Sequence, residues 1–209
     1  MTERSMTRED DVLVEQRERC FQGFYRLDRL HLKHRLFAGG MGPSISRELF
    51  VRPDAVCVLP YDPKTDSVVL VEQFRVGALD KSPEPWLLEI VAGLIDTDEQ
   101  PQEVARREAR EEADLVLHEL LPVMSYYPSP GGSDERVYLY VGRCSTEGVG
   151  GVFGVAEEGE DIRVHVWPFA AALQAIQDGR IDNAASIIAL QWLALNKDKV
   201  CADWLALES

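Results

Sequence analysis

The order of elements predicts an α/β fold: a mixed sheet with flanking helices, preceded by a small strand-rich N-terminal region. Three observations predict it. Short apolar runs bounded by Pro, Gly and Asp recur between residues 55 and 166, as buried strands do. Helical patterns fall among and after them, at 101–113, 169–178 and 183–196. The first 50 residues show neither feature and mix apolar with charged residues.

Taken in order, Val12-Leu13-Val14 opens the lead-in. From Phe24 to Leu36, Leu27, Leu30 and Leu32 alternate with Arg26, Arg29, His31 and Lys33, the pattern of a strand with one wet face. His31 and His34 are spaced HxxH, but residues three apart on a strand point to opposite faces, which argues against a shared metal. Phe37 to Pro43 is a turn region, and a strand resumes from Ser46 to Phe50. Ala55 to Leu59 is a buried strand, expected to end at Pro60-Tyr61-Asp62-Pro63. Val68 to Phe74 is another, and Trp86 to Val91 leads into Gly93. Pro101 to Ala113 is the clearest helix: Pro sits in its first turn, where the missing N–H costs nothing, and Val104, Ala105 and Ala109 mark an apolar stripe. Val123 to Tyr127 and Val137 to Val141 are strands on either side of the turn-rich Pro128-Ser129-Pro130-Gly131-Gly132-Ser133. The glycine-rich stretch from Gly148 to Gly154 then runs into an acidic patch, and Ile162 to Val166 is the last strand before two closing helices.

Charge and composition exclude several classes of function. The 209 residues carry 22 Lys and Arg against 36 Asp and Glu, a formal net charge of -14. Such a surface repels nucleic-acid polymers and anionic membranes at long range. The start, MTERSMTRED, has no apolar core of a secretory signal, and nowhere do about 18 apolar residues run together. Cys20, Cys57, Cys144 and Cys201 are far apart, with no CxxC pair, and read as reduced thiols. Together these features indicate a cytoplasmic protein.

The helix at 101–113 holds Glu103, Glu108, Glu111 and Glu112. Glu108 and Glu112 are four residues apart, so their carboxylates lie one above the other, and Glu111 borders the same face. Like charges at this spacing weaken a helix unless something offsets them. The run has two readings: a solvated acidic face, or a site where a hard divalent cation such as Mg²⁺ is held by carboxylate, carbonyl and water.

The surrounding spacing bears on that choice. From Gly93, five residues lead to Glu99 and seven more to Arg107-Glu108. Ala109, Arg110, Glu111-Glu112, Ala113, Asp114 and Leu115 follow. This resembles the Nudix box, Gly-x5-Glu-x7-Arg-Glu-U-x-Glu-Glu-x-Gly-U, where U is bulky and apolar. Ala109 is small for its position, a choice that would loosen packing. Asp114 replaces a glycine that serves a left-handed turn, and Asp tolerates that conformation better than most residues. The resemblance covers essentially the whole chain and is to the bacterial ADP-ribose pyrophosphatase branch. Its carriers are Lys33 to Phe37, Glu72-Gln73-Phe74-Arg75, Pro85 to Glu89, Ser129 to Gly132, Glu160 to Val164 and Ile181 to Ser186. Pro130, 15 residues past Leu115, matches a family marker for ADP-ribose.

The resemblance implies a Nudix-fold α/β/α sandwich with a mixed sheet, preceded by a small N-terminal antiparallel β-domain. Residues 1–52 would form the dimerisation domain and 53–209 the catalytic domain. It implies Mg²⁺ in two or three copies, with Mn²⁺ a possible substitute. The ligands would be Glu108, Glu112, the carbonyl of Ala92, Glu111 and Glu160. Gly93, Glu99 and Arg107 would be structural in the motif, with Arg107 orienting Glu99 and Glu111. The acidic patch Glu157-Glu158-Gly159-Glu160-Asp161 is either a solvated loop or a lid bringing carboxylates to bound substrate. The resemblance assigns Glu158 as the general base, a modest base being enough because cations lower the pKa of water. Phe24, Arg47, Arg75, Ser129 and Glu135 would bind substrate, Phe24 by stacking on adenine. The chain would form a homodimer exchanging its N-terminal segment.

The implied reaction is Mg²⁺-dependent hydrolysis of ADP-ribose to AMP and ribose 5-phosphate. One alternative is a pyrophosphatase for another nucleoside diphosphate sugar such as GDP-mannose. Another is a catalytically silent ADP-ribose-binding module, against which Glu108, Glu111 and Glu112 all remain.

Overall fold

The computed structural model describes residues 5–155 and 159–205. The chain divides into two compact units. One takes the chain up to Pro53 together with Tyr127–Glu135, and the other takes Asp54–Tyr126 and continues from Arg136.

In the first unit a single helical turn, Arg8–Asp11 (α1), precedes Val12–Gln22 (β1), Arg26–His34 (β2) and Ile45–Val51 (β3). The strands form an antiparallel sheet in the order β1-β2-β3. β1 continues well past Val14 because its polar residues pair across the sheet. Arg29 bonds Glu18 at 2.9 Å, and the buried Asp28 takes Arg17 at 2.6 Å and Arg26 at 3.0 Å. Cross-strand charge pairs of this kind leave no apolar alternation to read. The segment Tyr127–Glu135 joins through the Phe50 N–H, which donates to the Gly132 carbonyl at 2.8 Å, and the Arg52 N–H, which donates to Asp134 at 3.1 Å. Among the described residues this unit buries no apolar side chain; Leu13, Phe21 and Phe24 are exposed.

The second unit holds Asp54–Asp62 (β4), Ser67–Phe74 (β5), Trp86–Glu89 (β6), Val91–Ile95 (β7), Pro101–Ala113 (α2), Leu120–Tyr126 (β8), Val137–Arg143 (β9), Gly151–Phe153 (β10), Ile162–Pro168 (β11), Phe169–Gln177 (α3) and Ala184–Leu205 (α4). Its eight-stranded sheet runs β10-β11-β5-β4-β9-β8, with β6 beside β5 and β7 beside β4. Only β4 and β9 pair in parallel, so the sheet is mixed, as expected. Val56, Val58, Val69 and Val71 pack on Val104, Ala105, Ala109 and Ala113 of α2. The alternate residues Cys57, Leu59 and Leu70 pack with Ala172, Ala189, Leu190 and Leu193 of α3 and α4. Helices on both faces make the sandwich and explain why β4 and β5 read as unbroken apolar runs. Among the described residues no helix is long and apolar enough to cross a membrane.

Several boundaries differ from expectation. β4 does not stop at Pro60. That residue falls after the β7 pairing has ended at Val58 and before the β5 pairing begins at Tyr61, so its missing N–H breaks no ladder bond on that edge. The segment from Trp86 into Gly93, to which the sequence assigns no strand, forms two strands, because the chain steps at Ile90 from beside β5 to beside β4, and Ser186 Oγ accepts the Ile90 N–H at 3.1 Å. α4 runs past residue 196, since Val200 and Trp204 join the core and Lys197 pairs with Asp66 at 2.9 Å. Ala109 is fully buried.

Helix α2 begins and ends on identifiable caps. Gln100 and Glu103 exchange a capping box at its start. At its end Asp114 is left-handed, with φ 50, and the Asp114 and Leu115 N–H groups bond the Arg110 and Ala109 carbonyls. The turn survives without glycine, at the steric cost of a side chain in that region. Asp114 also puts a negative charge at the negative end of the helix dipole. Asp114→Gly is expected to stabilise the protein by about 1 kcal/mol in urea denaturation; no gain would mean that the aspartate makes a compensating bond.

Candidate active site

The last turns of α2 bring two carboxylates against β7. Gly93 is the reason they fit: a Cβ there would run into the Glu108 carboxyl. Glu112, one turn on, is 2% exposed and accepts the Ala92 N–H at 3.2 Å. A strand residue turns its N–H and carbonyl to the same edge, so the Ala92 carbonyl also lies on the carboxylate side, away from its β4 partner Cys57. Arg107 Nη1 meets Glu108 and Glu111, each at 2.9 Å, and its Nε reaches Glu99 at 3.4 Å.

Burial pushes both carboxyls up. Glu108 rises to about 7, against the pull of Arg107 and with the charges of Glu111 and Glu160 adding to the rise. Glu112 rises to about 8, driven by desolvation and then by Glu108 and Glu160, while the Ala92 N–H and Arg75 oppose the shift. Glu160 acts on both through its charge; its own carboxylate accepts the Val155 N–H at 2.9 Å. Among the described residues no three His, Cys, Asp or Glu side chains are drawn closely enough together to hold an ion. The donor set nevertheless fits a hard cation: two neighbouring acids, Glu112 buried and Glu108 partly so, raised toward neutrality chiefly by desolvation, a backbone carbonyl, and a glycine that leaves room.

Arg75 supplies the positive charge beside Glu112 and bonds Glu89 at 2.7 Å. Burial raises the Glu89 carboxyl, against Arg75 and with Asp182 adding. The start of α4 braces this corner, where Asn183 donates to the Leu88 carbonyl at 2.7 Å and its side chain accepts the Ser186 N–H at 3.2 Å. Glu89 and this brace were not among the expected site residues. The Pro85 to Glu89 and Ile181 to Ser186 segments were noted in the sequence, but only the fold makes them neighbours.

Glu108, Glu111, Glu112, Ala92, Glu160 and Arg75 therefore gather in the second unit around Gly93, Glu99 and Arg107. Phe24, Arg47, Ser129 and Glu135 all lie in the first unit. There Phe24 is 81% exposed with its ring edge to Tyr25, Arg47 is exposed, and Glu135 pairs with Arg52 at 3.2 Å. The Ser129 carbonyl accepts the N–H groups of Gly132 and Ser133. Glu158 and its neighbour Glu157 lie outside the described residues.

The NUDIX domain family matches residues 51–190. The chain is 47% identical over 195 residues to an ADP-ribose pyrophosphatase of Escherichia coli, covering 93% of each chain. It is 36% identical over 151 residues to a GDP-mannose pyrophosphatase of an Enterobacter species, covering 72% of this chain and 78% of that one. Among solved structures, that of an ADP compounds hydrolase matches with a TM-score of 0.68 at 18% identity, over 91% of this chain and 96% of the other, a likeness of fold.

The raised carboxyls set a pH dependence. Both values lie above the ordinary 4.5, so between about 4.5 and 8 the folded protein holds protons that the unfolded chain releases. Their contribution to stability is complete below 4.5 and is lost as pH rises through 7 to 8. Cations compete with those protons. In EDTA the melting temperature should fall from pH 6 to pH 8.5, and Mg²⁺ should raise it more at pH 8.5 than at pH 6. An equal Mg²⁺ shift at the two values, by calorimetry, would separate cation binding from these carboxyls.

Proposed function

The chain belongs to the Nudix family, and on that premise we propose that it hydrolyses the pyrophosphate of ADP-ribose to AMP and ribose 5-phosphate. The observation that carries the reading is the 47% identity to an ADP-ribose pyrophosphatase, spread over 93% of both chains rather than confined to the motif. The match to the GDP-mannose enzyme is both lower and shorter. The intact carboxylate set of α2 supports hydrolysis over mere binding.

Water adds to one phosphorus, the bridging P–O bond breaks, and two phosphate monoesters leave. Two or three Mg²⁺ ions, which Mn²⁺ can replace, supply charge neutralisation and a lowered pKa for the attacking water when bound. Glu108, Glu112, Glu111, Glu160 and the Ala92 carbonyl hold them. Arg107 keeps Glu99, Glu108 and Glu111 in place, and Gly93 keeps the space beside Glu108. Glu158 takes the proton of the attacking water. Arg75 and Arg47 hold phosphate or base, Phe24 stacks on adenine, and Ser129 and Glu135 bind the adenosine or the terminal ribose. The exposure of Phe24 supports its role.

The protein acts in the cytoplasm as a homodimer that exchanges the N-terminal segment, residues 1–52, while residues 53–209 carry the catalysis. The exposed apolar side chains of a sheet that buries none of its own support this assembly.

Glu112→Gln is expected to lower kcat by orders of magnitude with circular dichroism unchanged; near-normal turnover would move the metal site elsewhere. With Mg²⁺ and equal concentrations of ADP-ribose, GDP-mannose and ADP-glucose, ADP-ribose should give the highest kcat/KM. A preference for GDP-mannose would reassign the substrate, and phosphatase-coupled release that persists in EDTA would remove the metal requirement.

A further inference from the structure

Arg75 stands between two carboxylates and hydrogen-bonds one of them. Its Nε bonds Glu89 at 2.7 Å, while the charge of Glu112 acts on the same guanidinium. The two acids differ in the work already given to them. Glu112 belongs to the metal-binding set, whereas Glu89 has no place in it. A guanidinium that paired with Glu112 would occupy a carboxylate that cations need.

The backbone on both sides of Glu89 is fixed. Asn183, at the start of α4, donates to the Leu88 carbonyl at 2.7 Å, and Ser186 Oγ accepts the Ile90 N–H at 3.1 Å. The backbone of Arg75 is held as well, its N–H donating to the Pro85 carbonyl at 2.8 Å. Glu89 lies opposite Val71 rather than opposite Arg75, so the arginine side chain runs back along the sheet to meet it. The side chain of Glu89 is 15% exposed and that of Arg75 41%. The carboxylate is thus the sheltered anchor and the guanidinium the accessible end. The bond to Glu89 uses Nε alone. Nη1 and Nη2 have no hydrogen-bond partner among the described residues, and their edge offers parallel donors that match two oxygens of a phosphate.

We propose that Glu89 is a positioning residue: by bonding Nε it holds Arg75 away from Glu112 and turns the Nη1–Nη2 edge to a phosphate of the substrate. This rests on the reading of Arg75 as a phosphate contact in a hydrolase of ADP-ribose. A carboxylate suits the task, because a neutral group at this position would hold the guanidinium less firmly against the pull of Glu112.

The test is a double-mutant cycle on Glu89→Gln and Arg75→Ala with two readouts. One is the Mg²⁺ concentration at half-saturation, measured by calorimetry without substrate. The other is kcat/KM for ADP-ribose with saturating Mg²⁺. With Arg75 in place, Glu89→Gln should raise the first about 3-fold or more and lower the second about 10- to 100-fold. In the Arg75→Ala background the same change should alter neither by more than about twofold. Either readout unchanged with Arg75 in place overturns the proposal. Equal losses in both backgrounds also overturn it, since Glu89 then acts without Arg75. If circular dichroism shows that Glu89→Gln does not fold, Glu89→Asp takes its place in the cycle: the shorter side chain misplaces Arg75, and the same outcomes decide. If the wild type fails to turn over ADP-ribose, the substrate assignment falls. The Mg²⁺ readout needs no substrate and then still decides whether Glu89 keeps Arg75 off Glu112.

Discussion

Two carboxylates set one turn apart on the same helix face and drawn largely out of water are costly, and much of the second unit is arranged around Glu108 and Glu112. Burial pushes both above the usual carboxylate range. The fold accommodates the pair from three sides. Gly93 yields the volume that a side chain would take, the Ala92 N–H bonds Glu112, and Arg107 draws Glu99, Glu108 and Glu111 together. Arg75, reaching in from the end of β5 and anchored by Glu89, provides the remaining positive charge. The net charge of -14 thus has a local meaning. Eight acidic residues lie between Asp96 and Asp114 and four more between Glu157 and Asp161, so cations there would turn the most acidic part of the chain into a receptor for phosphate.

The same logic separates the two units. In the second unit α2 contributes small residues, Val104, Ala105, Ala109 and Ala113, so the helix lies close on the sheet and its acids reach β7. The capping box at Gln100 and the left-handed Asp114 fix where that helix starts and stops, and hence which carboxylates face inward. The N-terminal unit is built the other way. Its interior is made of ion pairs on Asp11 and Asp28, and its apolar side chains remain outside. Ion pairs on buried aspartates confer little net stability but fix register.

The sequence by itself determined helix α2, its left-handed end at Asp114 and the spacing of its acids, because i,i+4 neighbours and helix ends are local facts. It also determined β4 and β5, whose unbroken apolar runs need no partner to be read, whereas β10 lies in a stretch that reads as a glycine-rich loop. Where charges replaced apolar residues, as in β1 and at residues 196–199 of α4, the local signal failed and cross-strand pairs or core contacts decided the length. Only the tertiary structure placed Gly93 under Glu108, Arg75 beside Glu112, Ser186 against Ile90 and Tyr127–Glu135 with the N-terminal sheet. Each of these joins residues far apart in the chain, and which of them meet depends on strand register and the side of the sheet, quantities that no short window of sequence contains.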